Sequence, residues 1–343
     1  MSYKILKNWN YLLDYFSPAQ KDVYFTENYL KLYESKSEKA YCFYYYENDF
    51  HFLLPYLLRE FQYEDQAYFD FETAYGYGGP IFNYYDDKLI TKAWRSFLDY
   101  GFQNNYIAGF IRFHPLLNNQ VMFETVGELI LDRNTVAIDL SLSESKIWEK
   151  EIHTKNRNVI KKGETLGLEF IIDHNFNHLD TFKKLYLETM DKVSADSFYY
   201  FPSNYYTSLK ESLDNCFLSL VKYGDIITSA AIFFYSKEYG HYHLSGNNKQ
   251  YKKLNSNNFL LYKTAIYLKS IGIKKLHLGG GTNADPNNSL LSFKKKFSES
   301  LYDFYIGKLI FNHSRYDAIC NDWTISNPQK SITYDRYLLK YKY

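Results

Sequence analysis

Three consecutive glycines directly after an apolar run constrain this chain more than any other feature of its sequence. Residues 272–308 read GIKKLHLGGGTNADPNNSLLSFKKKFSESLYDFYIGK. The pattern predicts a strand at 275–278, a glycine turn, a polar loop, a short helix and an aromatic strand. Gly279, Gly280 and Gly281 free the backbone for positive φ angles and for the close approach of a ligand.

A lysine cluster on the predicted short helix follows these glycines. Lys294, Lys295 and Lys296 are consecutive, and ammonium groups and helix ends both suit a phosphate. The spacing is that of neither a P-loop nor a G-x-G-x-x-G loop. A plain turn beside a solvated helix face is therefore the alternative, and we expect Lys295 and Lys296 to face solvent.

Composition excludes several classes of protein. The 343 residues include 40 basic and 39 acidic side chains, which argues against DNA as a partner. No apolar run approaches the roughly 18 residues of a membrane span, so no membrane insertion is expected. Cys42, Cys216 and Cys320 lie far apart without metal or redox spacing, which indicates a cytoplasmic protein with reduced thiols and no metal.

Hydrophobic periodicity predicts a mixed α/β fold. The predicted helices cover residues 26–34, 89–103, 141–167, 176–193, 203–213 and 254–271. The predicted strands cover 40–48, 49–59, 67–71, 106–113, 121–131, 135–140, 168–173, 216–223, 226–235 and 239–245. Each half has an early helical part, a β-meander, a glycine-bearing loop, a long helix and a further strand. The pattern changes near 141–145 without a flexible linker, so the halves are expected to pack closely across a cleft.

Several motifs resemble the FemABX-like branch of the GNAT acyltransferase superfamily. They are HTKNRNVIKKGETLGLEF, LYLETMDKVSADSFYYFPSNYY, GHYHLSGNN, NSNNFLLYKTAIYLKSIGIKKLHLGGG and SLLSFKKKFS in the second half, and YGYGGPIF in the first. The resemblance implies two tandem GNAT-like domains, with donor and acceptor sites near their interface. The expected domains are 1–143, completed by 316–343, and a catalytic domain at 144–315.

The resemblance also implies an activity and its alternatives. The first hypothesis is an acyl-CoA-dependent N-acyltransferase that acts on a nucleotide-linked amino sugar for surface polysaccharide synthesis. The alternatives are an aminoacyl-tRNA-dependent transferase of cell-wall synthesis, the one case with tRNA as a partner, and a non-catalytic tandem-GNAT binding module. The chain lacks the long helical hairpin of some tRNA-using members, and it also lacks the Q/R-x-x-G-x-G/A loop of ordinary CoA-binding GNATs. A homo-oligomer stays open.

Three side chains are candidates for proton removal. The first candidate is His243, which by alternation shares a strand face with His241; an imidazole of ordinary pKa suits a general base at neutral pH. Asp191 and Asp196 are the other candidate bases or could orient an amino sugar. The alternatives are a half-buried structural histidine and helix-end carboxylates.

The remaining candidates bind substrates. Asn255, Ser256, Asn257 and Asn258 open a long helix whose free N–H groups could hold the CoA pyrophosphate, or they could simply cap it. The three glycines are further cofactor candidates. The resemblance implies acceptor contacts from Tyr75, Tyr77, Gly78, Gly79, Tyr200, His241 and Lys294, with the last on a phosphate. Arg157 and Lys161, one helical turn apart, could grip the same diphosphate or form a solvated basic face.

Overall fold

The chain folds as two units, and the first of them is built from two separate stretches of sequence. The computed structural model describes residues 2–193 and 195–343. The first unit comprises Met1–Asp132 and Phe304–Tyr343, and the second comprises Arg133–Asp303.

The first unit is a mixed sheet with helices. Its strands are β1 (Ser2–Leu6), β2 (Glu38–Glu47), β3 (Phe50–Tyr63), β4 (Gln66–Glu72), β5 (Ile81–Phe82) and β6 (Tyr106–Arg112). Its first helices are α1 (Glu27–Lys31) and α2 (Asp87–Gln103). Strand β7 (Glu128–Asp139) leads into the second unit.

Residues near the chain end complete this sheet. Strand β13 (Leu301–Ile310) pairs antiparallel with β6, and helices α9 (His313–Ser326) and α10 (Pro328–Tyr334) follow. The strand order is β1-β2-β3-β4-β6-β13, with only β4 and β6 parallel. The predicted hairpin at Asn48–Asp49 is confirmed, since Glu47 pairs with Phe50 and Asn48 takes a φ of 53°.

The core of the first unit is aromatic. Helix α2 presents Trp94 and Phe97, both fully buried, to Phe43, Phe52 and Phe71 on the strands. Its N-terminus is capped by Asp86, whose side chain accepts the N–H of Leu89 at 2.9 Å. Burial of such rings is the main stabilising term here, at about 25 cal/mol per Å² of apolar surface.

Six strands pair one after another in the second unit. Strands β8 (Glu169–Asp173), β9 (Cys216–Tyr223), β10 (Ile226–Tyr235), β11 (Tyr239–Asn247) and β12 (Lys275–Gly280) join β7 in the order β7-β12-β11-β10-β9-β8. Its helices are α3 (Glu144–Lys146), α4 (Thr154–Thr165), α5 (Leu179–Lys192), α6 (Ser203–Ser212), α7 (Ser256–Ser270) and α8 (Ser289–Lys294). The predicted mixed α/β class is thus confirmed.

Helix α7 is the centre of this unit. Phe259, Leu260, Leu261, Ala265 and Leu268 are all buried in one cluster that reaches the strands. A helix that is apolar on nearly every side needs neighbours all round. The parallel pairing of β11 with β12 requires a crossover between them, and α7 supplies it.

Two predictions of secondary structure were wrong. The single helix expected over 141–167 breaks at Ile152, which takes an extended conformation after a π-helical turn at Ile147–Glu151. The strand expected at 121–131 begins instead with a 3-10 turn at Phe123–Thr125, after Met122 with a φ of 61°. Among residues 2–193 and 195–343, every helix is too short or too polar to traverse a bilayer.

Candidate active site

Strands β11 and β12 run side by side and then separate. Their parallel pairs are Tyr239 with Lys275, Gly240 with Leu276 and His241 with His277. Beyond His241 the strand continues to Asn247, and none of the described residues of β12 pairs with that stretch. The other edge of β11 stays bonded to β10. Beyond His241 this edge of β11 is therefore not covered by β12, although the N–H of Asn247 already donates to the Thr189 hydroxyl of α5 at 3.0 Å. Backbone groups on a strand edge that no neighbouring strand covers can bond an extended ligand.

The start of helix α7 lies after this splayed strand. Asn255 takes the left-handed conformation with a φ of 52° and makes no side-chain cap. The next side chains are engaged elsewhere: the Ser256 hydroxyl accepts from Thr228 at 2.8 Å, and the Asn257 amide lies against the Tyr242 hydroxyl at 3.1 Å. Backbone N–H groups at the first turn of a helix without a side-chain cap attract anions.

A cleft of about 810 Å³ opens beside that helix start. Its walls come from the starts of α4 and α7 and from the end of α8. The lining residues are His153, Lys155, Asn156, Val159, Asn255, Asn258, Ser292, Phe293, Lys295, Lys296 and Glu299. We refer to it as the lysine-lined cleft, because three of its side chains are lysines and only Glu299 carries a negative charge.

Lys294 lies apart from the two lysines that follow it. It is 7% exposed, and its Nζ donates to the carbonyl of Gly280 at 2.7 Å. Burial, with the Arg133 guanidinium nearby, lowers the pKa of Lys294 to about 7. Lys295 and Lys296 are exposed, as expected from the sequence.

The predicted glycine turn is partly strand. Gly279 and Gly280 belong to β12, and Gly279 takes a φ of 75°. A Cβ on Gly280 would stand 2.7 Å from the carbonyl oxygen of Asn134, and the Arg133 side chain crosses the same spot. Arg133 also donates to the Gly281 carbonyl at 2.9 Å. Close packing of β12 against β7 thus requires Gly280, the positive φ favours glycine at 279, and a Cβ on Gly281 would meet the Asn288 side chain. The role of these glycines in cofactor binding stays a prediction.

His243 occupies a β-bulge. The pairing of β11 with β10 shifts register there, between the pairs Ile232–Leu244 and Phe233–Tyr242. Its Nε2 lies 2.7 Å from the Tyr205 hydroxyl of α6. Burial and the nearby His241 lower the pKa of His243 to about 3. The expectation of an ordinary imidazole pKa was therefore wrong, while the base role itself stays a prediction.

The two candidate aspartates lie in a different environment. Asp191 and Asp196 are both exposed. The Asp191 carboxylate accepts from the Tyr200 hydroxyl at 2.9 Å, and the Asp196 carboxylate accepts from the N–H of Phe198 at 3.0 Å. The structure thus brings Asp191 and Tyr200 together, and their roles toward substrate stay predictions.

Arg157 holds the break between α3 and α4. One guanidinium nitrogen lies within 3.1 Å of the carbonyls of Trp148, Glu149 and Ile152, and the other donates to Thr154. Lys161 points elsewhere, with its Nζ 5.8 Å from the centre of the Trp148 ring. Both side chains therefore have local structural roles, and a shared grip on a diphosphate stays a prediction.

The glycine-rich loop of the first unit is held rigidly. Asn119 donates to the carbonyls of Gly78 at 2.7 Å and Pro80 at 2.8 Å. Gly79 takes a φ of 84° with Phe113 against it. Tyr29 donates to the Tyr75 carbonyl at 2.6 Å, and the Tyr77 ring lies 5.5 Å from that of Tyr24. The contact of this loop with an acceptor stays a prediction.

The sequence offered little signal for several residues of the site. Asn156 and Asn258 are buried and joined by a 2.7 Å hydrogen bond, although 102 residues separate them. The carbonyl of Lys296 accepts from the N–H of His153 and the side chain of Asn156. No spacing in the sequence relates Asn156 to Asn258, so sequence reasoning had no signal for this network.

Comparisons with known proteins fit this geometry. Residues 151–294 match the model of the Acetyltransferase (GNAT) domain family. The fold is similar to the crystal structure of FemX, with a TM-score of 0.74 and 13% identity over 93% of this chain and 100% of that one. No curated protein sequence gives a significant match.

Two further structures share the fold. One is the C-terminal domain of a putative lysylphosphatidylglycerol synthetase from Agrobacterium fabrum, with a TM-score of 0.57 and 13% identity over 89% of this chain and 93% of that one. The other is L-PGS from Bacillus licheniformis, with a TM-score of 0.51 and 12% identity over 80% of this chain and 85% of that one.

Proposed function

We propose that this chain, whose residues 151–294 match the GNAT domain family and whose fold is similar to that of FemX, is an N-acyltransferase of the FemABX-like branch with a specific reaction. The donor is acyl-CoA, and the acceptor is the amino group of a nucleotide-linked amino sugar used in surface polysaccharide synthesis. One observation carries the proposal: three features follow one another in the second unit. They are the splayed strand β11, the uncapped start of α7 and the lysine-lined cleft.

The donor would lie along this sequence of features. The pantetheine arm of CoA is an extended chain with amide groups, and it suits the free edge of β11 beyond His241. The pyrophosphate suits the backbone N–H groups at Ser256 and Asn257. In this proposal a backbone N–H of β11 would stabilise the oxyanion that forms on the thioester carbonyl.

The buried side chain of Lys294 is the reason for proposing an acceptor that carries a phosphate. Lys294 is 7% exposed and bonded to a carbonyl, and none of the described carboxylates forms an ion pair with it, whereas buried charges are normally paired. A sugar-linked diphosphate would supply the opposite charge. This is a proposal about Lys294 alone, since Arg157 and Lys161 are already engaged with their own elements.

The chemistry needs no covalent enzyme intermediate. The neutral amine attacks the thioester carbon, the C–N bond forms, the C–S bond breaks, and CoA leaves as its thiolate. The amine proton passes to a base and then to solvent or the thiolate. All three cysteines are buried, and burial raises the pKa of Cys216 to about 12, which disfavours an acyl-thiol route.

His243 is the proposed proton acceptor, with Tyr205 as its hydrogen-bonding partner. A base whose pKa is about 3 holds a proton only in passing, so it would relay the proton rather than store it. Proximity would supply much of the rate. We also propose that the reaction takes place in the cytosol, where CoA thioesters and nucleotide sugars are made.

The experiment is a thiol-release assay with a panel of acyl-CoAs and nucleotide-linked amino sugars, paired with mass spectrometry of the product. We expect one CoA equivalent released per amide formed. Calorimetry with CoA and a gel shift with bulk tRNA test the aminoacyl-tRNA alternative. The proposal would be overturned if tRNA bound at micromolar concentration and physiological salt while calorimetry detected no heat of CoA binding.

A further inference from the structure

We infer that a proton reaches His243 only through the hydroxyl of Tyr205, so that Tyr205 is a second, required member of the proton relay. The inference rests on the proposed function, in which His243 accepts the amine proton. It goes further, because it fixes the direction of one hydrogen bond, the tautomer of the imidazole and the order in which two protons move.

The contact between these two side chains joins helix α6 to strand β11. The Tyr205 hydroxyl lies 2.7 Å from Nε2 of His243. This distance is typical of a hydroxyl donor, whereas hydrogen bonds donated by N–H groups centre on about 2.9–3.0 Å. A phenol also gives up its proton more readily than a neutral imidazole does. Both arguments make Tyr205 the donor and Nε2 the acceptor.

The direction of this bond decides where His243 can accept a proton. A neutral imidazole has one N–H group and one nitrogen with a lone pair. Burial and the nearby His241, which lower the pKa of His243 to about 3, keep the ring neutral at pH 7. When Nε2 accepts from Tyr205, the hydrogen of the ring is on Nδ1. The single lone pair of the imidazole is therefore bonded to the Tyr205 hydroxyl, and an incoming proton has no other nitrogen to occupy.

Packing holds both rings in this arrangement. Tyr205 is 3% exposed, and the Phe201 ring stacks on it with the ring centres 4.4 Å apart. The Phe234 ring of β10 lies against the imidazole of His243, with the ring centres 4.3 Å apart. Because these contacts fix the donor and the acceptor before a substrate binds, the relay needs no rearrangement of either ring during the reaction.

The transfer moves two hydrogens in one direction. The amine nitrogen loses a proton to the Tyr205 oxygen, directly or through one water, while the O–H bond of Tyr205 breaks and its proton passes to Nε2. The ring becomes an imidazolium with an N–H group at both nitrogens, and the phenol is restored. The imidazolium returns its proton by the same path to solvent or to the CoA thiolate, so both side chains end each turnover as they began.

The neighbouring residue Tyr206 offers a matched control. It also lies on α6 and is also 3% exposed, but its hydroxyl has no hydrogen-bond partner among residues 2–193 and 195–343. A change from tyrosine to phenylalanine therefore removes one buried hydroxyl at either position. Only the change at Tyr205 removes a bond to His243.

The first test is nitrogen-15 NMR of the full chain with labelled histidine at pH 7. The signals of His243 are assigned from their loss in His243→Gln. We expect the hydrogen of this ring on Nδ1 and a hydrogen-bonded lone pair on Nε2. Tyr205→Phe should move the Nε2 signal toward that of a nitrogen without a hydrogen bond, and Tyr206→Phe should leave it in place. A hydrogen on Nε2 in the wild type would overturn the inference.

The second test measures kcat with the substrates that the thiol-release assay identifies. Tyr205→Phe should lower kcat about a hundredfold or more with little change in either KM, because proton transfer is lost and binding is not. Tyr206→Phe should retain the kcat of the wild type. The double variant Tyr205→Phe/His243→Ala should lose no more than about threefold beyond the larger single loss, since both changes interrupt one relay.

Two kinetic results would refute the inference. One is full activity of Tyr205→Phe, and the other is a double variant whose loss is the product of the two single losses, which would mean that the side chains act independently. No turnover with any thioester, with the nitrogen signals as expected, would instead count against the proposed acyl transfer and not against the tautomer of His243.

Discussion

Replacing Lys294 with methionine should stabilise the unliganded protein at neutral pH. The unfolded chain titrates Lys294 at its ordinary pKa of 10.5, while burial, with the nearby Arg133 guanidinium, lowers the pKa in the folded state to about 7. Between these two values the unfolded state binds more protons, so the free energy of unfolding rises with pH. Each pKa unit corresponds to about 1.4 kcal/mol, so a gap of roughly 3.5 units sets an upper bound of about 5 kcal/mol.

Methionine has a similar length and suits the buried site, but it carries no charge to desolvate. At pH 7 the Lys294→Met variant should exceed the wild type by a few kcal/mol, less about 1 kcal/mol for the lost bond to Gly280. This advantage should shrink by about 2 kcal/mol between pH 7 and pH 9. Urea denaturation of both proteins at a series of pH values measures it.

The exposed neighbour supplies the control. Lys295→Met removes a charge from the same short helix without burial, and its stability should track the wild type at every pH. The free energy of unfolding of Lys294→Met and of the wild type can be plotted against pH from 7 to 9. If the two curves run parallel, the pKa of Lys294 is not lowered in the folded state, and the argument for a missing counter-charge fails. The same variant should raise KM for the nucleotide sugar about tenfold or more, with little change in KM for the donor.

Three further results are expected. His243→Ala should lower kcat/KM about a hundredfold to ten-thousandfold with an unchanged circular dichroism spectrum; a loss under about threefold would remove it as the proton acceptor. Gly246→Ala should strongly destabilise the protein in thermal unfolding, since a Cβ there would stand 2.3 Å from the backbone N of Tyr186; a wild-type melting temperature would contradict that packing. Lys342→Met should cost about 1–2 kcal/mol, because Lys342 bridges Glu38 and Glu72; salt titration of the wild type should mimic part of this loss.

Local sequence patterns predicted most of the strands and helices. Nearly continuous apolar runs predicted β9 and β10 at the residues where the structure has them, and the Asn48–Asp49 turn needed only the conformational preference of Asn. The broken helix before α4 could not be foreseen in this way. Its cause is the Arg157 guanidinium, which replaces intrahelical bonds at three carbonyls; helical periodicity contains no information on such a competitor.

The candidate site was less accessible to sequence reasoning for a related cause. The resemblance pointed to Lys294, but its burial depends on strands and a helix that meet only in the folded unit. The link between Asn156 and Asn258 joins residues 102 positions apart, and neither residue lies in a spacing that implies the other. Electrostatic and hydrogen-bonding partners at this separation are properties of the topology.

The late arrival of β13 has a consequence for how the chain is made. Strand β6 needs β13 as its neighbour, and their pairs join Arg112 to Ile306 and Ala108 to Ile310. During translation the whole of the second unit is synthesised before β13 can pair with the edge of β6. Residues 133–303 are contiguous and can collapse first, whereas the first unit waits with an unpaired strand edge exposed to chaperones and to other nascent chains. We therefore expect mutations in the ten-residue strand β13 to lower the yield of folded protein more than mutations in other strands of similar length.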